Sequence, residues 1–156
     1  MNSTSWLGLI GFVVAAFAAA STGAMFKPGA WYEALAKPSW QPANWVFPVV
    51  WSVLYCLIAV SGWLAWRAAG WSPALKIYAV QLVLNAAWTV IFFGLHRIGF
   101  AMVDLAVLWC LILVTVVMFY RIEPLAAWLL VPYLAWVTVA ACLNFSIWRL
   151  NAAPVG

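Results

Sequence analysis

Three groups of aromatic and amide side chains recur along the chain at the spacing of one helix face. They are Trp51 and Tyr55, then Gln81, Asn85, Trp88 and Phe92, and finally Trp136, Ala140 and Asn144. Steps of three and four residues place the members of each group on one side of a helix. Indole rings supply apolar surface, and amides supply hydrogen bonds. The pattern therefore favours a ligand pocket built from three helices.

Residues for ordinary catalysis or metal binding do not gather anywhere in the sequence. It contains no nucleophile beside a base, no nucleotide-binding loop and no cluster of metal-ligand types. The single histidine, His96, lies at the end of an apolar stretch. The three cysteines are odd in number and far apart, so we interpret them as small buried apolar residues. We expect no metal and no obligatory cofactor.

The elements that position these side chains must be membrane-spanning. Of the 156 residues, 69% are hydrophobic and only 6% are charged, and the mean hydropathy is +1.08. A soluble domain is typically about half apolar and about a quarter charged. The net charge is +4, but the basic residues are scattered singly, which argues against a nucleic-acid partner. The composition indicates an integral multi-pass membrane protein in contact with the lipid bilayer.

Charges, prolines and glycines divide the chain into five apolar stretches. Each is long enough to cross about 30 Å of hydrocarbon as a helix. The predicted spans are 5–26, 45–67, 74–95, 99–120 and 125–149. We predict an all-α bundle of five transmembrane helices that forms one domain over residues 1–156.

The first span is either a retained helix or a cleaved signal peptide. Because it lacks a basic leader, we expect a retained helix. Its small residues suit close packing within the bundle or at a dimer face.

Depth along the spans places the three groups in the same half of the bilayer, nearest the first loop. Polar side chains at membrane depth turn inward because lipid offers no hydrogen-bond partners. We therefore expect the three faces to converge on a cleft that opens toward that loop. The alternatives are that the deep Trp side chains only fill the core, that Asn85 and Asn144 only join helices, and that Asp104 is solvated or a cap.

The first loop, residues 27–44, is long for a connection in a small helical bundle. Three prolines restrict it, and three aromatic residues, including Trp40, give it apolar surface to bury. We interpret it as a folded lid over the cleft. The alternative is a loop that lies in the headgroup layer.

With these residues placed, the sequence resembles the tryptophan-rich sensory protein family, which includes the mitochondrial translocator protein. The resemblance covers nearly the whole chain. Six pieces carry it in order: Trp31-Tyr32-x-x-Leu35-x-Lys37-Pro38-Ser39-Trp40-x-Pro42, Pro48-x-x-Trp51-x-x-Leu54-Tyr55, Gln81-Leu82-x-Leu84-Asn85-x-x-Trp88, Phe92-Phe93-Gly94 with Val103-Asp104-Leu105, Pro132-Tyr133-Leu134-Ala135-Trp136, and Leu143-Asn144-Phe145-x-x-Trp148-Arg149.

The resemblance implies a membrane receptor or sensor, usually a homodimer. It would bind porphyrins, such as protoporphyrin IX or heme, and drug-like molecules in a pocket under the first loop. Motif matches carry the ligand-binding role onto Trp40, Trp51, Tyr55, Asn85, Trp88, Trp136 and Ala140. We expect the porphyrin faces to stack on indoles and the propionates to meet Lys37, Arg97 or Asn85. A bacterial membrane is expected in preference to the mitochondrial outer membrane.

Two positions depart from the family pattern. Ala43 stands where a second proline is common, which would loosen the lid slightly. Phe145 stands where the proposed sterol motif has a tyrosine between Leu143 and Arg149. The missing hydroxyl argues against sterol recognition through that motif.

Two other functions stay open beside the receptor. One is an enzyme that degrades porphyrin in light, in which Trp51 and Trp136 would be the catalytic candidates. The other is a transporter of tetrapyrrole-like or sterol-like molecules. Transporters usually show repeated halves and broken helices, and five spans give no such repeat.

Overall fold

The computed structural model describes residues 3–152, and these residues fold into helices without any strand. The helices are α1 (Ser3–Met25), α2 (Ala30–Ala34), α3 (Val46–Ala69), α4 (Pro73–Thr89), α5 (Ile98–Tyr120) and α6 (Pro124–Asn151). Helix α4 continues directly into a π-helical turn, Val90–Gly94. All but α2 are long and apolar enough to cross a membrane. The all-α, five-span prediction is confirmed, and each span ends within two residues of its predicted position.

The signals that divided the sequence also end the helices. Pro73 occupies the first turn of α4, where its missing N–H costs nothing. Gly70 ends α3 with a φ of 62°, a conformation that favours glycine. At the start of α6, the Glu123 carboxylate accepts a hydrogen bond from the backbone N–H of Leu125 at 3.3 Å. The turns are therefore local consequences of their residue types.

The spans form a closed ring in the order α1, α3, α6, α5 and α4. Hydrogen bonds join neighbouring helices, since lipid cannot satisfy their polar groups. The Ser61 hydroxyl of α3 donates to the Ala126 carbonyl of α6 at 2.6 Å. The Tyr78 hydroxyl of α4 donates to the Ile58 carbonyl of α3 at 2.9 Å.

The end of the bundle away from the first loop is filled. Gly62 lies so close to Tyr78 that an added Cβ would be 2.6 Å from its Cζ. The Tyr78 ring in turn stacks on Phe119, with centroids 5.9 Å apart. Space for a ligand must therefore lie toward the other end.

The expectation that the cysteines are buried is wrong. Cys56, Cys110 and Cys142 all face outward from the bundle. A thiol is weakly polar, so a membrane-spanning helix can present it to lipid at little cost. The small residues of α1 divide: Ala16 and Ala19 are buried, whereas Ala15 faces outward.

The first loop is folded against the bundle. It contains α2, whose Tyr32 ring packs on Phe92 and Phe93 with centroids 6.1 and 5.3 Å away. Trp31 stacks on the His96 ring at 4.1 Å. The π-helical turn matters here because it carries Phe92 and Phe93 beneath α2. We call residues 27–44 the lid.

Candidate functional site

A cavity lies between α3, α4 with its π-helical turn, and α6, and its Phe92 wall also contacts Tyr32 of the lid. Its walls are Phe47, Trp51, Trp88, Phe92, Trp136, Ala140, Leu143, Asn144 and Ile147. Its volume is about 30 Å³, room for about two water molecules. Pockets that enclose drug-sized ligands measure about 300–1,000 Å³. The cavity is therefore smaller than a drug-sized ligand requires.

Aromatic rings from the three helices form much of the wall and contact one another. Phe47 meets Trp136 edge to face, with centroids 5.8 Å apart. Trp88 stacks on Phe92 at 5.4 Å. Such ring pairs contribute about 1 kcal/mol each beyond the area that they bury. A flat aromatic ligand inserted between two of these rings would replace the contact between them with its own ring contacts.

A buried chain of hydrogen bonds lies beside the cavity, behind the Trp51 ring, which contacts Tyr55 and Tyr133. We call this chain the floor. The Tyr55 hydroxyl donates to Asn85 Oδ1 at 2.5 Å, and Asn85 Nδ2 donates to the Tyr133 hydroxyl at 2.9 Å. The Tyr133 hydroxyl donates in turn to Gln81 Oε1 at 2.8 Å. This chain joins α3, α4 and α6 at membrane depth. It fixes the spacing of the helices that carry the three cavity-lining Trp side chains.

Asn144 and the Trp136 indole N–H, both in the cavity wall, differ in their hydrogen-bond partners. Asn144 accepts a hydrogen bond from Trp88 Nε1 at 3.3 Å and donates one to the Ile98 carbonyl at 3.0 Å. By contrast, Trp136 Nε1 is buried and has no hydrogen-bond partner within the described residues 3–152. A buried donor without an acceptor costs free energy. The Trp136 indole therefore carries a donor that residues 3–152 leave unused.

The structure brings four of the seven expected ligand-binding residues to the cavity wall: Trp51, Trp88, Trp136 and Ala140. Tyr55 and Asn85 belong to the hydrogen-bonded floor. Trp40 is 49% exposed and does not line the cavity.

The expected anchors for porphyrin propionates also lie elsewhere. Lys37 Nζ donates to the carbonyls of Glu33 and Leu35, at 3.0 Å each, and so braces the lid. Asn85 uses its amide oxygen and nitrogen within the floor. Arg97 lies on a separate surface outside the bundle. Residues 3–152 contain no cluster of side chains that could hold a metal ion.

Sequence reasoning missed three apolar wall residues and one floor residue. Phe47 is four residues before Trp51, and Ile147 is three residues after Asn144. Leu143 and Tyr133 stand at equivalent steps from Ala140 and Trp136. Extending each helix face by one more turn would have found them.

Known proteins are similar to this chain over most of its length. The family model described as TspO/MBR family matches residues 9–149. The chain is 48% identical over 147 residues to "Protein CrtK" of Rhodobacter capsulatus, covering 90% of each chain. It is 40% identical over 146 residues to the tryptophan-rich sensory protein of Cereibacter sphaeroides, covering 94% of this chain and 92% of that one.

An animal protein is also similar over most of the chain. The translocator protein of Homo sapiens is 39% identical over 154 residues, which covers 94% of this chain and 91% of the human one. Together with the five spans, these matches support a role as a membrane receptor or sensor. The chain belongs to the TspO/MBR family.

Proposed function

We propose that this chain binds porphyrins, such as protoporphyrin IX or heme, and other flat hydrophobic molecules in the cavity beneath the lid. The observation that carries the proposal is that Trp51, Trp88 and Trp136, from three different helices, line one cavity. Indole faces suit the faces of a tetrapyrrole. The unpartnered Trp136 N–H favours a ligand that brings an acceptor.

Binding of such a ligand requires the closed cavity to open, because about 30 Å³ cannot hold a tetrapyrrole. The contacts that hold the lid lie toward one end of the bundle. They include the Trp31 stack on His96 and the packing of Tyr32 on Phe92. Lifting the lid would break these contacts while leaving the hydrogen-bonded floor intact. We therefore expect ligand entry from the lid side.

The setting of this activity is also part of the proposal. Two of the relatives described above come from bacteria, which supports a bacterial membrane over the mitochondrial outer membrane. A homodimer and the binding of drug-like molecules follow from the family resemblance. The mass of the purified protein in detergent would test the dimer.

The experiment is an equilibrium titration of the purified protein with protoporphyrin IX, followed by porphyrin absorbance. We expect Trp136→Ala to weaken binding at least about tenfold, since it removes both ring contact and donor. The matched control is Trp128→Ala, because Trp128 lies on the same helix but is 63% exposed. Equal affinities for the two variants would contradict the proposed site.

A second candidate is light-dependent conversion of the bound porphyrin. The observation that favours it is that Trp51 and Trp136 both line the cavity, so that either indole would lie beside a bound, photoexcited ring. Illumination of the complex separates the two functions. Product in molar excess over protein, lost in Trp136→Ala, would indicate an enzyme. Binding without turnover would indicate a receptor.

A further inference from the structure

A second concave surface lies outside the bundle, where α5 begins beside the end of α6. This groove is a wide, open depression of about 470 Å³, and its residues include His96, Arg97, Gly99, Phe100 and Trp148. None of its residues lines the cavity beneath the lid. It begins at the turn between the π-helical turn and α5, on the lid side of the membrane. The groove therefore runs from the headgroup region into the hydrocarbon.

The upper end of the groove is positively charged. Arg97 is exposed, and among residues 3–152 its side chain forms no ion pair or hydrogen bond. His96 beside it is exposed, and its ring stacks on Trp31 of the lid. No acidic side chain lines the groove. An anionic group at this position would gain an attraction that nothing in the described protein already satisfies.

The lower part of the groove is apolar and faces outward. Phe100 is 65% exposed and Val103 is 62% exposed. Gly99 has no side chain and so leaves the base of the groove open. The Trp148 indole forms the opposite wall, 3.5 Å from where a Gly99 Cβ would lie. Trp side chains are enriched at the membrane interface because one part is apolar and one part polar. The groove thus changes from cationic to apolar along the membrane normal.

We propose that this groove binds one anionic phospholipid, with its phosphate at Arg97 and an acyl chain along Phe100 and Val103. The order of charge and apolar surface matches that of a lipid with a negative headgroup. The rest of the lid side favours the same sign, since the exposed Lys27 and Arg149 lie there and outnumber the exposed Glu33. A zwitterionic headgroup would bring its own cation toward Arg97, so it should bind more weakly.

Native mass spectrometry of the full chain in detergent tests the proposal, with phosphatidylglycerol and phosphatidylcholine as probes. We expect one retained phosphatidylglycerol, held about fivefold more tightly than phosphatidylcholine. Arg97→Gln should remove the preference, and Arg97→Lys should restore most of it. The matched control is Arg121→Gln, an equal change of charge at the opposite end of α5, which should keep the preference.

A second variant tests the shape of the groove independently of its charge. The side chain of Gly99→Leu should fill the base of the groove beside Trp148 and weaken the binding of both lipids. Equal binding of the two lipids by the unaltered protein, or an unchanged preference in Arg97→Gln, would overturn the proposal.

Protoporphyrin IX separates this groove from the cavity beneath the lid. Retention of phosphatidylglycerol in the presence of bound porphyrin supports two distinct sites. Displacement of the lipid by porphyrin in the Trp136→Ala variant would place porphyrin in the groove and overturn the lipid assignment.

Discussion

The side-chain amide of Asn151 pairs with both backbone polar groups of Ala36. It accepts a hydrogen bond from the Ala36 N–H at 3.0 Å and donates one to the Ala36 carbonyl at 2.9 Å. The same amide also donates to the Ile147 carbonyl at 2.8 Å, which holds it at the end of α6. This pairing fastens the lid to the helix that carries Trp136. The proposed entry of a ligand from the lid side would require this contact to break.

Removing this pairing should loosen the lid. In Asn151→Ala we expect amide hydrogen exchange within residues 31–44 to rise about tenfold, because two hydrogen bonds that favour the closed form are lost. Exchange within α3 should stay unchanged. The control is Asn44→Ala, which alters an exposed amide of the lid. Identical exchange in the two variants would show that the pairing does not hold the lid.

Filling the cavity should block the ligand without removing any aromatic wall. Ala140 lines the cavity. The larger side chain of Ala140→Phe would therefore occupy space that a bound porphyrin needs. We expect porphyrin affinity to fall at least about tenfold, with a loss of stability of about 1–3 kcal/mol from overpacking. Titration and thermal unfolding measure the two effects. Ala135→Phe, on the outward face of α6, should change neither, and a similar loss of affinity there would count against this location.

The hydrogen-bonded floor should contribute to stability through Tyr133. Its ring is fully buried, and its hydroxyl joins Asn85 to Gln81. Tyr133→Phe should lower the free energy of unfolding by about 1–2 kcal/mol, since it leaves two buried amides without that partner. Tyr120→Phe is the control because Tyr120 is 56% exposed. Equal unfolding temperatures for the two variants would show that the chain of hydrogen bonds is energetically neutral.

The lid should become less stable in strong alkali. Burial raises the pKa of the Tyr32 phenol above its ordinary value of 10.0, and the Gln41 side chain opposes this only in part. Because the closed lid favours the neutral phenol, its contribution is complete below pH 10 and is lost as the pH rises through the raised pKa. The difference in tyrosinate absorbance between the unaltered protein and Tyr32→Phe measures this ionisation. A difference curve centred at or below pH 10 would contradict the burial argument.

The architecture and much of the cavity wall could be predicted from the sequence because both follow local periodicity. Hydropathy sets the spans, and the steps of three and four placed Trp51, Trp88 and Trp136 on inward faces. The distinction between wall and floor could not be predicted in this way. Whether Tyr55 or Asn85 lines the cavity depends on the depth at which neighbouring helices cross, and no single-helix pattern contains that information.

The lid is the part for which the sequence carries the least information. Its aromatic content predicts a folded segment, but the contact of Asn151 with Ala36 spans 115 residues and has no local signature. The position of Trp40 likewise depends on how the lid folds, and half of its surface is exposed. The small volume of the cavity follows from rings of three helices meeting one another. Long-range packing of this kind cannot be predicted from the residue pattern of one helix.

A structure of the protein with bound protoporphyrin IX tests the central claim most directly. The proposal predicts the macrocycle between the rings of Trp51 and Trp136, with Phe47 moved away from Trp136 and the lid lifted from Phe92. The floor of Tyr55, Asn85 and Tyr133 should keep its hydrogen bonds. A macrocycle bound on the outer face of the bundle, with the cavity still closed, would contradict the proposed site.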